Sequence, residues 1–220
     1  MQRIVQTMRV TYPDIRAPQW QERKLRGFFA SGQAPDSLLH NHGEAGGSLY
    51  RYPLVPYKII GQTPAILALK DGIAALQPLV LNNRELQLGD RLYPCGRMEL
   101  AMEGTVLGDT EQPCRYRFCT VWFALNQENY RRYIQSDAEA RKKLLEQILA
   151  GNIISMAKGF GVQVENRLTV EAGLRECPAQ FKSGTVLGFT GEFTVNYCLP
   201  DLAGLGKSVS RGFGAVRRIA

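Results

Sequence analysis

The chain reads LYRYPLVPYKII at residues 49–60, PAILALKD at 64–71 and GIAALQPLV at 72–80. The first two segments have the β-branched, aromatic and aliphatic content that favours strands. The third is short and helix-like. Together they predict two strands followed by a helix, and the elements on either side determine which fold they belong to.

The segments that flank this region complete a recognisable order. Upstream, residues 4–12 are of strand type, and WQERKLRGFFASG (20–32) is typical of a helix that ends at Gly32. Downstream, LQLGDRLY (86–93) can form one more strand. The resulting order of strand, helix, two strands, helix and strand is the βαββαβ pattern of a ferredoxin-like fold.

The second half of the chain restarts the same pattern. RYRFCTVWFAL (115–125) indicates a strand, residues 136–158 indicate the best helix of the chain, and residues 162–172 and 184–199 indicate further strands. We therefore expect an α+β protein of two tandem ferredoxin-like (RRM-like βαββαβ) domains, at residues 1–100 and 101–220.

Composition and charge narrow the class of protein. Of 220 residues, 45% are hydrophobic and 21% charged, which is typical of a folded protein. We find neither a membrane-spanning run of about 18 apolar residues nor a signal peptide, so we expect a cytoplasmic protein. Basic residues outnumber acidic ones by 27 to 20, and the resulting net charge of +7 favours a polyanionic partner. The five cysteines include no Cys-x-x-Cys pair, which argues against a disulfide framework and a zinc ribbon.

The last twenty residues, DLAGLGKSVSRGFGAVRRIA (201–220), combine glycine with cationic side chains. A P-loop would need glycine at position 201, where the chain has Asp201, and a dinucleotide loop would need glycine in place of Val209. An RNA-recognition strand motif would need aromatic rings in place of Ala215 and Arg218. All three motifs therefore fail. A glycine-rich hairpin with a solvated basic face remains as a purely structural interpretation.

The glycine spacing nevertheless matches a known pattern. Gly204-Leu-Gly206, five residues and Gly212-Phe-Gly214 resemble the C-terminal glycine-rich loop of the RAMP superfamily of CRISPR-associated proteins, and within it the repeat-RNA-processing endoribonucleases. The resemblance implies that the second domain carries an RNA-binding loop. Together with the basic first helix, the candidate RNA-binding residues are Arg23, Lys24, Arg26, Gly204, Gly206, Lys207, Ser208, Arg211, Gly212 and Gly214.

The only two histidines of the chain, His40 and His42, lie in a glycine-containing segment just beyond the basic helix. An ordinary surface or core role is the alternative to a catalytic one. Zinc would need three or four ligands, and Glu44 is the only other candidate nearby, so we expect no metal site and no cofactor. Because imidazole titrates near neutral pH, a histidine pair suits general acid–base catalysis.

RNA supplies its own nucleophile for such a pair. One imidazole can take the proton of a ribose 2′-hydroxyl while the other protonates the leaving 5′-oxygen, which yields a 2′,3′-cyclic phosphate and a 5′-hydroxyl. The segment is also similar to one subgroup of the repeat endoribonucleases, in which a His-x-His pair and a downstream tyrosine form the site. That similarity implies catalytic roles for His40, His42 and Tyr50, with Tyr52 as the alternative tyrosine. Lys58 is the candidate cation, although it could equally be a strand residue that faces solvent.

These observations favour a metal-independent endoribonuclease that cleaves precursor CRISPR RNA within its repeats, with the catalytic loop in the first domain. The leading alternative is a non-catalytic RNA-binding subunit of a CRISPR effector complex, and a small-molecule or nucleotide enzyme on the same fold is a third class. The expected partner is CRISPR repeat RNA. Other effector-complex subunits and a second copy of the chain are further candidates, and a membrane is not.

Overall fold

Two structural units divide the chain. A computed structural model describes residues 2–34, 37–39, 52–181 and 184–220. The N-terminal unit comprises Ile4–Thr105 together with Ser210–Gly212, and the C-terminal unit comprises Val106–Val209 and Phe213–Ala220 with the first residues of the chain. The short segment 210–212 therefore belongs to the N-terminal unit although it comes from the glycine-rich tail.

The N-terminal unit has the predicted ferredoxin-like order. Its elements are β1 (Gln2–Thr11), α1 (Glu22–Ala30), β2 (Tyr57–Ile60), β3 (Thr63–Leu69), α2 (Asp71–Asn82), the hairpin strands β4 (Glu85–Leu88) and β5 (Arg91–Pro94), and the start of β6 (Glu99–Phe118). Strand β3 pairs antiparallel with both β2 and β1, and β6 follows on the other side of β1. The order β2-β3-β1-β6 is that of a ferredoxin-like sheet.

The fourth strand of this sheet is not the one that the sequence predicts. Residues 86–93 form two strands instead of one, because the chain turns back at Gly89, whose φ is +69°. A glycine with positive φ in a two-residue loop is typical of a tight hairpin. Leu86 and Leu88 point into the core from this hairpin, and the start of β6 takes the fourth place in the sheet.

The basic helix is confirmed as α1. Leu25 and Phe29 are four residues apart and lie on the same helix face, and both are buried. They pack in a core that also contains Met8 and Val10 from β1 and Ile66 from β3. Because one face of α1 is committed to this core, the opposite face remains available for cationic side chains.

The C-terminal unit repeats the strand order with one element replaced. Its elements are the rest of β6, α3 (Gln127–Gln135), α4 (Ala138–Gly159), β7 (Val170–Phe181), β8 (Gly184–Cys198) and β9 (Val216–Ile219). Antiparallel pairing gives the order β9-β6-β8-β7. Segment 199–215 contains a single 3-10 turn and no α-helix. The glycine-rich tail thus occupies the place in the chain where a second helix would complete the βαββαβ pattern.

Further sequence predictions differ from the structure at their boundaries. The strand predicted at 115–125 is only the end of β6, which spans Glu99–Phe118. The long helix α4 begins after Asp137, whose carboxylate accepts a hydrogen bond from the Ala140 N–H, and the polar helix α3 precedes it unpredicted. Strand β7 begins only at Val170, because the N–H of Thr169 donates to the side chain of Asn196 instead of to the ladder. In the described parts of the chain, no helix has the length and apolar character needed to cross a membrane.

Candidate functional site

The predicted catalytic residues His40, His42 and Tyr50 lie outside the described residues. The described residue that immediately precedes them is Leu39, which is buried and forms part of the core of the N-terminal unit. The alternative tyrosine, Tyr52, is described and half-buried. The roles of the histidines and of the tyrosine therefore stay predictions.

Lys58 lies on β2 and is completely buried. It is therefore not the solvent-facing strand residue that the sequence allowed as an alternative. Its charge interacts with the carboxylate of Glu22, which also interacts with Arg26 and Arg211. Arg23 contributes as well, so four of the cations proposed from the sequence act on one acidic side chain of the N-terminal unit.

Glu22 is the functional candidate that sequence reasoning missed. It occupies the first turn of α1, its side chain is only 3% exposed, and burial raises the pKa of its carboxyl to about 7. The neighbouring cations oppose that rise without cancelling it. A signal was available, since Glu22 precedes Leu25 and Phe29 by three and seven residues and so lies on the buried face of the helix.

Gly212 explains how the tail reaches this cluster. Its φ is +79°, and a Cβ at this position would lie 2.9 Å from Cγ of Glu22 and 3.1 Å from the carbonyl oxygen of Tyr57. Only glycine leaves room for the backbone to lie this close to α1 and β2. The close approach places neighbouring Arg211, which is half-buried, beside Glu22.

The exposed cations of α1 also line a groove. Arg23 and Lys24 are exposed and line a groove of about 540 Å³ between α1, the end of α2 and the β4–β5 turn. Arg26, which is half-buried, instead influences the pKa of Glu22 and of Tyr57. The predicted basic helix therefore contributes cations both to this groove and to the surroundings of Glu22.

The other three glycines of the motif make room within the C-terminal unit. A Cβ at Gly206, whose φ is +84°, would lie 2.5 Å from Nε1 of Trp122. A Cβ at Gly204 would collide with Val209, and one at Gly214 would collide with the Leu205 carbonyl. The Gly214 N–H donates to the Val121 carbonyl oxygen. Glycine is therefore required at these three positions because a Cβ would collide with neighbouring atoms along the path of the loop.

The hydrophobic and cationic members of the motif have distinct environments. Leu205 is buried, and the ring of Phe213 lies 4.3 Å from that of Phe123. Lys207 is exposed, its Nζ donates to the Leu125 carbonyl oxygen at 2.9 Å, and partial burial lowers its pKa. Ser208 is half-buried with a φ of +60°. Lys207 is thus the cation that the loop presents to solvent in the C-terminal unit.

Comparison with known proteins identifies the family. Family models of the Cas6b N-terminal domain and the Cas6b C-terminal domain match residues 3–105 and 108–219. The chain belongs to the Cas6b family. The glycine pattern thus led to the correct superfamily, and the family match covers both halves of the chain.

Similarity to individual proteins covers most or all of this Cas6b-family chain. An uncharacterised protein of Methanocaldococcus jannaschii is 39% identical over 144 residues, which are 64% of this chain and 97% of that protein. A crystal structure of Cas6b is 33% identical, with a TM-score of 0.91 and complete coverage of both chains. A crystal structure of the CRISPR RNA processing endoribonuclease Cas6b is 32% identical, with a TM-score of 0.77 and the same coverage. The predicted α+β fold of tandem ferredoxin-like domains is confirmed.

Proposed function

We propose that this protein is an endoribonuclease that cleaves precursor CRISPR RNA within its repeats. The observation that carries the proposal is the match along the whole chain, at 32% identity, to a solved CRISPR RNA processing endoribonuclease of the Cas6b family. The net charge of +7 is consistent with a polyanionic substrate. The proposed partner is therefore repeat RNA.

In the proposed reaction, His40 and His42 act as general base and general acid. One imidazole accepts the proton of the ribose 2′-hydroxyl, the 2′-oxygen attacks the adjacent phosphorus, and the other imidazole protonates the leaving 5′-oxygen. The products are a 2′,3′-cyclic phosphate and a 5′-hydroxyl, and no divalent ion takes part. Tyr50 is the proposed third member of the site.

The cations of the N-terminal unit have different proposed roles. Lys58 is completely buried, so we assign it an electrostatic influence on the site in place of direct contact with phosphate. Arg211 is half-buried and belongs to the same cluster around Glu22, which makes it the better candidate for contact with the RNA backbone. Arg23 and Lys24 extend the basic surface along α1.

The reaction is tested with purified protein and repeat RNA in EDTA. We expect cleavage that leaves a cyclic phosphate, and we expect none when the ribose at the cleavage position is replaced by 2′-deoxyribose, because the nucleophile is then absent. Loss of cleavage in EDTA, or cleavage of the deoxy substrate, would contradict the proposed chemistry.

Histidine variants test the assignment of the catalytic residues. His40→Ala and His42→Ala should each reduce the single-turnover rate by about 10² to 10⁴ while repeat RNA still binds. The matched control is Asn41→Ala, which changes the residue between them but removes no group that transfers protons at neutral pH. Unchanged cleavage by both histidine variants would exclude them as catalysts. Binding without any cleavage by the parent protein would favour the non-catalytic effector subunit.

A further inference from the structure

The open face of the C-terminal sheet carries an arginine cluster outside the glycine-rich loop. Arg115 and Arg117 on β6 have side chains that are 56% and 61% exposed, whereas Tyr116 between them is completely buried. This alternation places both arginines on the solvent face of the sheet. Arg217 on β9 is exposed and lies directly opposite Arg117 in the register.

A single carboxylate holds the two β6 arginines in place. Glu192 on β8 accepts a hydrogen bond from Nη2 of Arg115 at 2.6 Å and from Nε of Arg117 at 2.8 Å. The Arg117 hydrogen bond is the main cause that lowers the pKa of the Glu192 carboxyl. A guanidinium has five N–H donors, so these contacts occupy only some of them. The pairing restricts the conformations of both arginines and leaves donors that can bind an anion.

A shallow groove of about 910 Å³ lies along this face. Four cationic side chains and two carboxylates line it: Arg115, Arg117, Lys142, Arg175, Glu171 and Glu192. The excess of positive charge favours an anionic ligand, although the carboxylates reduce it. Arg115 and Arg117 are two residues apart on a strand, which separates them by about 7 Å. That distance is of the order of the separation between neighbouring phosphates in a single nucleic-acid strand.

The chemistry of the groove favours contact with the backbone of a nucleic-acid strand over contact with its bases. Among the described residues that line it, the aromatic ones are Phe118 and Phe193, and both are buried. Base recognition by a sheet of this kind depends on exposed aromatic rings. The arginine donors, in contrast, match phosphate oxygens.

We propose that this sheet face, centred on Arg115 and Arg117 and completed by Arg175 and Arg217, is a docking surface for the phosphodiester backbone of the RNA substrate. The proposal rests on the proposed function and adds a binding surface to it. The sheet face contributes to the affinity for RNA and takes no part in the chemical step. The surface therefore contributes to binding in proportion to the number of phosphates that it contacts.

The test measures binding of fluorescein-labelled uridine and thymidine 20-mers at several salt concentrations. We expect Arg115→Ala/Arg117→Ala to weaken binding by about tenfold at low salt and to reduce the slope of log K against log salt by about 1.4, which is the loss of two single-strand phosphate contacts. The loss should be the same for both oligomers, because the face contacts neither the bases nor the 2′-hydroxyl.

The matched control is Arg131→Ala/Arg132→Ala, which removes two exposed arginines from α3 and the same total charge. We expect this control to change affinity and salt slope less than half as much. Equal effects of the two double variants, or parental binding by Arg115→Ala/Arg117→Ala, would overturn the docking surface. A loss confined to the uridine oligomer would also overturn it.

A cleavage measurement separates this inference from the proposed function. At a protein concentration that saturates repeat RNA, Arg115→Ala/Arg117→Ala should cleave at the parental single-turnover rate. A slower rate at saturation would contradict the assignment of the face to affinity. If the variant binds normally and the parent cleaves, the docking surface fails alone. If the parent does not cleave repeat RNA, the proposed function fails.

Discussion

The buried carboxyl of Glu22 should make the stability of the N-terminal unit depend on pH. Its pKa is raised from an ordinary value of 4.5 to about 7 because the side chain is buried in the N-terminal unit. Between these pH values the folded protein binds a proton that the unfolded chain has released. The free energy of unfolding of this unit therefore falls as the pH rises from 4.5 to 7, and the difference between the two pKa values corresponds to about 3 kcal/mol.

The substitution Glu22→Gln removes this titration while it preserves the shape of the side chain. The stability of the variant relative to the parent should rise by about 3 kcal/mol between pH 4.5 and pH 8. This difference is independent of any constant effect of the amide, because a constant effect is the same at every pH.

Hydrogen exchange measured by mass spectrometry allows the N-terminal unit to be followed alone. Peptides from α1 and β3 belong to that unit and report its opening. Exchange of the parent and of Glu22→Gln, compared at equal pH and urea concentration from pH 4.5 to 8, gives the required difference.

The cause of the raised pKa can be checked in the same assay. A pKa raised by loss of hydration should change little with ionic strength, whereas salt screens the opposing Coulombic contribution of the neighbouring cations. We therefore expect the pH-dependent difference in stability between parent and variant to persist in about 0.5 M NaCl, where the Debye length is well below 10 Å. Parallel stability curves for parent and variant from pH 4.5 to 8 would refute the reasoning.

Two further predictions concern the C-terminal unit. Gly214→Ala should destabilise this unit by about 3 kcal/mol in urea unfolding, because its φ is +68° and a Cβ would collide with a backbone carbonyl. Gly151→Ala in α4 has space for the methyl group and should stabilise the unit by roughly 0.5 to 1 kcal/mol. Equal effects of the two substitutions would contradict the steric account. Burial raises the pKa of the Cys198 thiol to about 11, so only about one molecule in a thousand carries the thiolate at pH 8. Iodoacetamide followed by mass spectrometry should therefore label the half-buried Cys119 before Cys198 and the buried Cys114, and equal labelling would show that the unit opens readily.

Local patterns were sufficient for the elements whose cause is local. Helix α1 follows from the spacing of Leu25 and Phe29, and its end follows from Gly32, which has a φ of +74°. The glycine spacing in the tail was enough to indicate the superfamily. It could not show that Gly206 makes room for Trp122, because that contact joins residues 84 positions apart.

Long-range pairing explains the errors in the fold. LQLGDRLY has the composition of one strand, but its central glycine allows a hairpin, and the choice depends on which segment pairs with β1. The start of β6 takes that place. Hydrogen bonds between distant segments compete with local ones, and composition alone does not decide between them.

Residues that are close together in the chain were enough to indicate the α+β class, the βαββαβ order of the first half, the RAMP-type glycine loop and the candidate histidine pair. The folded protein shows in addition that Lys58 is buried, that Glu22 faces it with Arg211, and that Arg115, Arg117 and Arg217 share one sheet face. Burial and charge environment are set by segments that meet only after folding, so no local pattern contains them.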